Sequence, residues 1–202
     1  MIGVVFDDIK NDFPFVSLSV TRIAMSYSLL VTGGARSGKS RFAEERALSM
    51  GARLVYIATA QAFDDEMTKR IKEHQDRRGP EWHTVNAPLH LAEAITETDG
   101  LGPCLVDCLT LWLTNLIFAE SDIKTATNAV IQTMKSRRDP LIFVTNEVGG
   151  GIVPENKLAR RFRDEAGRLN QIVAEEVDEV YVCISGMPLQ LKGSNHKGFS
   201  DE

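Results

Sequence analysis

The sequence predicts an α/β fold, a mostly parallel sheet with helices on both faces, and three observations carry that expectation. Short apolar runs alternate with longer helix-compatible stretches along the chain. The runs are continuous rather than alternating in polarity, as strands buried on both faces are. The chain has 202 residues, 43% of them hydrophobic and 25% charged, enough for one sizeable core.

The strand expectations are "YSLLVTG" (27–33), "RLVYIAT" (53–59), "CLVDC" (104–108), "LIFVTN" (141–146) and "EVYVCIS" (179–185). Each is rich in Val, Ile or Leu. Helices are expected at about 38–50, 62–78, 88–97, 108–119, 122–137 and 155–176. No internal repeat and no long linker divides the chain, so residues 25–192 form one expected domain. Residues 1–24 precede the first convincing strand and read as an N-terminal arm, or as sequence ahead of a natural start at Met25. Residues 193–202, polar and containing Gly and Ser, read as a frayed tail. In such a sheet, functional residues gather beyond the carboxyl ends of the strands.

The first strand feeds "GGARSGKS". Gly33, Gly34, Ala35, Arg36, Ser37, Gly38, Lys39 and Ser40 satisfy the pattern G-x-x-x-x-G-K-[ST] between a strand and a helix. Small residues let backbone N–H groups turn inward around phosphate oxygens, and the following helix adds its N-terminal dipole. Lys39 is placed to reach the β- and γ-phosphates, and the Ser40 hydroxyl to ligate Mg²⁺. The expected class is therefore a P-loop NTPase of the RecA-like kind. The metal also needs a carboxylate from a neighbouring strand end. Asp107 and Glu147 both qualify, and Asp107 is favoured because it directly ends its apolar run.

Composition narrows the classes. The net charge of −5 argues against a nucleic-acid surface, which usually needs a basic stripe. No apolar run approaches a membrane span. The N-terminal residues are acidic where a signal peptide is basic, so export is not expected. Cys104, Cys108 and Cys183 form neither metal spacing nor an even disulfide framework, and Cys104 and Cys183 read as small buried hydrophobes. A reducing cytoplasm is the expected compartment.

The stretch "DDEMTKRIKEHQDRRG" (64–79) carries five acidic and five basic residues, the composition of a solvated helix face. His74 stands out within it. Met67, Ile71 and His74 share one helical stripe, and Arg70, His74 and Arg77 share another. A half-desolvated imidazole beside guanidinium groups would be held neutral and nucleophilic, with arginines to hold phosphate. On the residues alone, a surface or half-packed histidine is the simpler account.

Four segments, "LLVTGGARSGKSRFAE", "YIATAQAFDDEMTKRIKEHQDRR", "TNEVGGGIVPENKLARRFRDEAGRLNQ" and "DEVYVCISGMPLQLK", together resemble the bifunctional adenosylcobinamide kinase / adenosylcobinamide-phosphate guanylyltransferase family of cobalamin synthesis. The resemblance runs in order from about Ser28 to Lys192. It implies two activities: phosphoryl transfer from ATP or GTP to the adenosylcobinamide hydroxyl, and transfer of GMP from GTP to the resulting phosphate through a covalent histidine intermediate. By position that histidine is His74, since the residue before it, a second histidine in many relatives, is Glu73. The resemblance also implies nucleotide contacts from Gly33–Ser40, from Ala58, Thr59 and Ala60, from Gln75, Asp76, Arg77 and Arg78, and from Asp107. Relatives commonly carry a carboxylate where "WHTVN" places Asn86, and an amide pairs less strongly with guanine. Mg²⁺ held by Ser40 and Asp107, and a homotrimer, are further implications. Two other readings stay open: a single-activity member of the family, and a RecA-like binding or regulatory NTPase.

Overall fold

The computed structural model describes residues 27–61 and 78–193. Seven strands form one sheet in the order β3-β2-β4-β5-β1-β6-β7. They are β1 Ser28–Gly33, β2 Leu54–Ala58, β3 Trp82–Asn86, β4 Cys104–Asp107, β5 Leu141–Val144, β6 Glu179–Ile184 and β7 Met187–Lys192. All neighbouring pairs are parallel except β6 and β7. Five helices are described: α1 Lys39–Leu48, α2 Leu91–Glu97, α3 Leu109–Phe118, α4 Ile123–Ser136 and α5 Lys157–Glu176. The mostly parallel α/β expectation is met.

Successive residues of the central strands serve two cores, which is why their sequences do not alternate. Leu30, Ile57, Val106 and Phe143 join α2–α5 residues such as Ile95, Trp112, Val130 and Leu169 on one face. Leu29, Val31, Tyr56, Leu105 and Val144 meet Ala43 and Ala47 of α1 on the other. Right-handed crossovers explain the split. The connection through α1 runs toward β2 in one direction along the sheet. Those through α2, α3–α4 and α5 run in the other, so they cover the opposite face. Strands β1 and β5 are neighbours whose following helices leave on opposite faces, which opens a crevice beyond their carboxyl ends.

Each expected strand and each described helix is present, with ends shifted by up to three residues. Two strands, β3 and β7, are additions. Both lie at sheet edges and are largely exposed, so neither has the continuous apolar run that marks a central strand. β7 contains Pro188, tolerated on an edge, and follows β6 through a two-residue turn with positive φ at Ser185 and Gly186. Lys192 ends β7, and its Nζ donates to Ala174 O (3.0 Å) and Glu175 O (2.6 Å) at the C-terminal end of α5. The expected helix at 62–78 lies outside the described residues except for Arg78, as do the arm 1–24 and residues 194–202.

The end of α4 is tied down by a buried cation. Arg137 is 3% exposed, and its guanidinium donates to the carbonyls of Ile95, Thr98 (3.1 Å) and Gly102 (3.2 Å), around the end of α2 and the approach to β4. Three carbonyls would lose a charged donor together in Arg137→Ala, so destabilisation of about 3 kcal/mol is expected, read as a lowered denaturant midpoint with unchanged slope.

Candidate active site

The glycine loop crosses the top of β1 with other backbones in contact. A Cβ on Gly33 would lie 2.6 Å from Cys183 O and 2.6 Å from Ser37 Oγ. One on Gly38 (φ 91°) would lie 3.0 Å from Gly186 Cα, in the β6–β7 turn. That turn is bonded to the loop, with Gly186 N donating to Ser37 O at 2.9 Å. On the other side Glu147 N donates to Gly33 O at 3.1 Å, so the segment after β5 also braces the loop. Arg36 takes a left-handed φ of 57° at its exposed tip.

Gly38 is the N-cap of α1 and supplies no side-chain cap, whereas Asp122 and Asn156 cap α4 and α5 with their carboxylate and amide oxygens. The first N–H groups of α1 are therefore left for a ligand, and no acidic residue in its first turn opposes an anion. Lys39 Nζ donates to Gly34 O (3.1 Å), which lays the ammonium over the loop. Burial, reinforced by the neighbouring Asp107 carboxylate, pushes the Cys108 thiol up to about 11, so the residue after β4 stays a neutral thiol. Half-buried Ser40 follows in the first turn of α1.

Asp107 ends β4, opposite Ala58 in the β2 register. Its Oδ2 accepts a hydrogen bond from the Tyr56 hydroxyl at 3.1 Å. Glu147, the competing carboxylate, is exposed and accepts from Gly149 N at 2.6 Å within its own loop. Thr59 is fully buried and its polar groups are all used. Its hydroxyl donates to Cys108 O and accepts from Cys108 N, both at 2.8 Å; its N–H donates to Asp107 O and its carbonyl accepts from Asn115 Nδ2. Thr59 thus locks the ends of β2 and β4 together. Ala58 and Ala60 flank it, and Asn86 sits at the exposed end of β3 beside Ala58.

Arg78, where the described chain resumes, places its guanidinium carbon 3.5 Å from the Tyr56 ring centroid. The P-loop, Ala58–Ala60, Asp107 and Asn86 all lie at the carboxyl ends of strands, and Arg78 stacks on the β2 tyrosine beside them. His74, Gln75, Asp76 and Arg77 lie outside the described residues. Three contributors were missed from sequence. Tyr56 had a signal, a hydroxyl inside an otherwise apolar strand. Gly186 had one too, in the Ser-Gly turn dipeptide. Asn115 had none: its amide bridges Thr59 O (2.8 Å) and Pro88 O (2.9 Å), a pairing visible only in three dimensions.

A side chain at position 38 would have to displace the backbone of the β6–β7 turn. Gly38→Ala is expected to weaken nucleoside triphosphate binding by about tenfold or more, measured by equilibrium titration of a fluorescent analogue on protein shown to melt normally.

Comparison with known proteins accords with this geometry. Residues 29–191 match the family model described as cobinamide kinase / cobinamide phosphate guanyltransferase. The bifunctional adenosylcobalamin biosynthesis protein CobP of Pseudomonas aeruginosa is 46% identical over 167 residues, covering 81% of this chain and 96% of that protein. The bifunctional adenosylcobalamin biosynthesis proteins CobU of Salmonella typhimurium and Escherichia coli are 44% and 43% identical, each covering 81% of this chain and 99% of theirs. A solved Pyrococcus horikoshii protein, PH0250, shares the fold at a TM-score of 0.51 and 8% identity, covering 85% of this chain and 88% of its own. With a loop built for triphosphate and a match over most of its length, the chain belongs to the cobinamide kinase / cobinamide phosphate guanyltransferase family.

Proposed function

We propose that this protein phosphorylates adenosylcobinamide with a nucleoside triphosphate and then transfers GMP from GTP to the product, giving adenosylcobinamide-GDP. The observation that carries the reading is the uncapped start of α1 behind a glycine loop held from both sides, in a chain of this family. In the kinase step the loop N–H groups and Lys39 hold the triphosphate and take up charge that spreads over its oxygens during transfer. ATP and GTP both suit such a site, because the loop grips phosphate rather than base.

Ser40 and Asp107 fit a divalent cation of the Mg²⁺ class. Both offer hard oxygen donors, and Asp107 has one carboxylate oxygen not engaged by Tyr56. Among the described residues no cluster of three His, Cys, Asp or Glu side chains could hold a metal by itself, so a cation here would rely on phosphate oxygens, the usual Mg²⁺ arrangement. When bound, Mg²⁺ would neutralise phosphate charge. Glu147, engaged with Gly149, is the less suitable carboxylate.

For the second activity, the His74 imidazole attacks the α-phosphorus of GTP, its N–P bond forming as the bond to pyrophosphate breaks. The phosphate of adenosylcobinamide phosphate then displaces the imidazole, which leaves with a proton. Arg78, with Gln75, Asp76 and Arg77, belongs to the nucleotide contacts in this reading, and Asn86 to the guanine side. A homotrimer is part of the same proposal. Exposed Phe118 at the end of α3, Leu158 at the start of α5, and Ile152 and Val153 in the loop before α5 offer apolar surface for self-association. No helix among the described residues is long and apolar enough to cross a membrane, and a cytoplasmic reaction fits the triphosphate substrates.

Incubation with GTP labelled on its α-phosphate should give protein-bound label that is acid-labile and base-stable. His74→Ala should abolish that label while phosphorylation of adenosylcobinamide continues; persistent label would remove His74 as nucleophile. Lys39→Ala should lower the kinase rate by a factor of about a hundred or more. A wild-type kinase rate in that variant would place phosphoryl transfer elsewhere.

A further inference from the structure

Tyr56 occupies a place in β2 that packing alone would fill with an aliphatic side chain, as at its neighbours Leu54, Val55 and Ile57. It is only 4% exposed, and its ring lies edge-on to Trp82 with centroids 6.0 Å apart. The register explains its reach. Tyr56 pairs with Leu105 and Ala58 with Asp107, so Tyr56 and Asp107 project from the same sheet face, one step apart along it. That is the face packed by α1. The hydroxyl spans the step and donates to Asp107 Oδ2 at 3.1 Å. A carboxylate only accepts, so the phenol hydroxyl is the donor in this bond.

The ring has a second occupant. The Arg78 guanidinium carbon stands 3.5 Å from its centroid, at stacking distance. Arg78 Nη1 is buried with no hydrogen-bond partner among the described residues. A desolvated guanidinium nitrogen without an acceptor is costly, and a phosphate oxygen is the acceptor it matches best. One side chain therefore holds the carboxylate by its hydroxyl and the cation by its ring.

We propose that Tyr56 is a positioning residue for the nucleotide site, fixing the Asp107 carboxylate toward the divalent cation and the Arg78 guanidinium toward phosphate. The inference rests on the proposed metal role of Asp107. It separates Tyr56 from a merely core-filling aromatic, because the two functions reside in different atoms. Tyr56→Phe keeps the ring, its packing and the Arg78 platform but leaves Asp107 free to turn. Tyr56→Leu removes the platform as well.

The test is binding, read without turnover. Mn²⁺ affinity in the presence of a non-hydrolysable GTP analogue is measured by electron paramagnetic resonance, and metal-free affinity for the analogue by calorimetry. Tyr56→Phe should weaken Mn²⁺ about tenfold with unchanged melting temperature and unchanged metal-free nucleotide affinity. Tyr56→Leu should lose metal-free affinity to the extent that Arg78→Ala does, and the double variant should lose little more. Wild-type Mn²⁺ affinity in Tyr56→Phe overturns the proposal, as does full additivity of the Leu and Ala variants. If Tyr56→Leu fails to fold, the Phe variant decides alone. Asp107→Asn separates the two levels. Undiminished Mn²⁺ binding there removes the metal role of Asp107, whereas loss there with none in Tyr56→Phe removes only the role of Tyr56.

Discussion

Between the end of β1 and the first turn of α1 the chain passes within contact distance of two other backbones, and the site is arranged around that passage. The Cys183 carbonyl stands where a side chain on residue 33 would be, and Gly186 where one on residue 38 would be. Gly186 N and Glu147 N add hydrogen bonds from opposite sides. A loop that must present N–H groups inward has few internal bonds of its own. Its shape is held from outside, by the β6–β7 turn and by the segment after β5.

This accounts for parts of the sequence that phosphate chemistry does not itself require. Thr145 and Asn146 sit just before Glu147. The Thr145 hydroxyl donates to Asn170 Oδ1 (2.7 Å), the Asn170 amide donates to Asn146 O (3.2 Å), and the Asn146 amide donates to Thr110 Oγ1 (2.8 Å). The β5 end is thereby bonded to α5 and to the start of α3, so the brace on Gly33 is itself fixed. The β7 strand, which carries no expected site residue, returns the chain so that its turn meets Gly38 and its last lysine closes the end of α5. Buried polar networks of this kind favour one arrangement over nearby alternatives, because each broken bond leaves a desolvated group unpaired.

The same logic holds at the carboxyl ends of β2 and β4. Thr59 joins the ends of β2 and β4 by using its hydroxyl as donor and acceptor to one residue, Cys108. Asn115 holds Thr59 in turn and reaches Pro88 beyond β3. Tyr56 links Asp107 with Arg78 across that joined edge. Family membership names the two reactions, and these contacts describe how the chain would keep a carboxylate, an arginine and a phosphate loop in one frame. Both activities need that frame, since each acts on a triphosphate whose reacting phosphorus must be presented to a different nucleophile.

The amino-acid sequence by itself determined the five central strands and the glycine loop that joins β1 to α1. Burial on both sheet faces demands continuous apolar runs, and phosphate binding demands glycines, a lysine and a hydroxyl at fixed local spacing. It also carried the family, through long segments in matching order. The edge strands β3 and β7 were not legible, because an exposed edge needs no apolar run and even tolerates Pro188. Nor were the surroundings of the two candidate carboxylates, Asp107 and Glu147, legible. Both follow apolar strands, and their difference lies in partners distant in sequence or set by loop shape: Tyr56 for one, Gly149 N for the other. Tertiary structure alone decided that Tyr56 would meet Asp107. Their contact depends on the parallel register of β2 and β4, and no local pattern records how two strands some fifty residues apart will align.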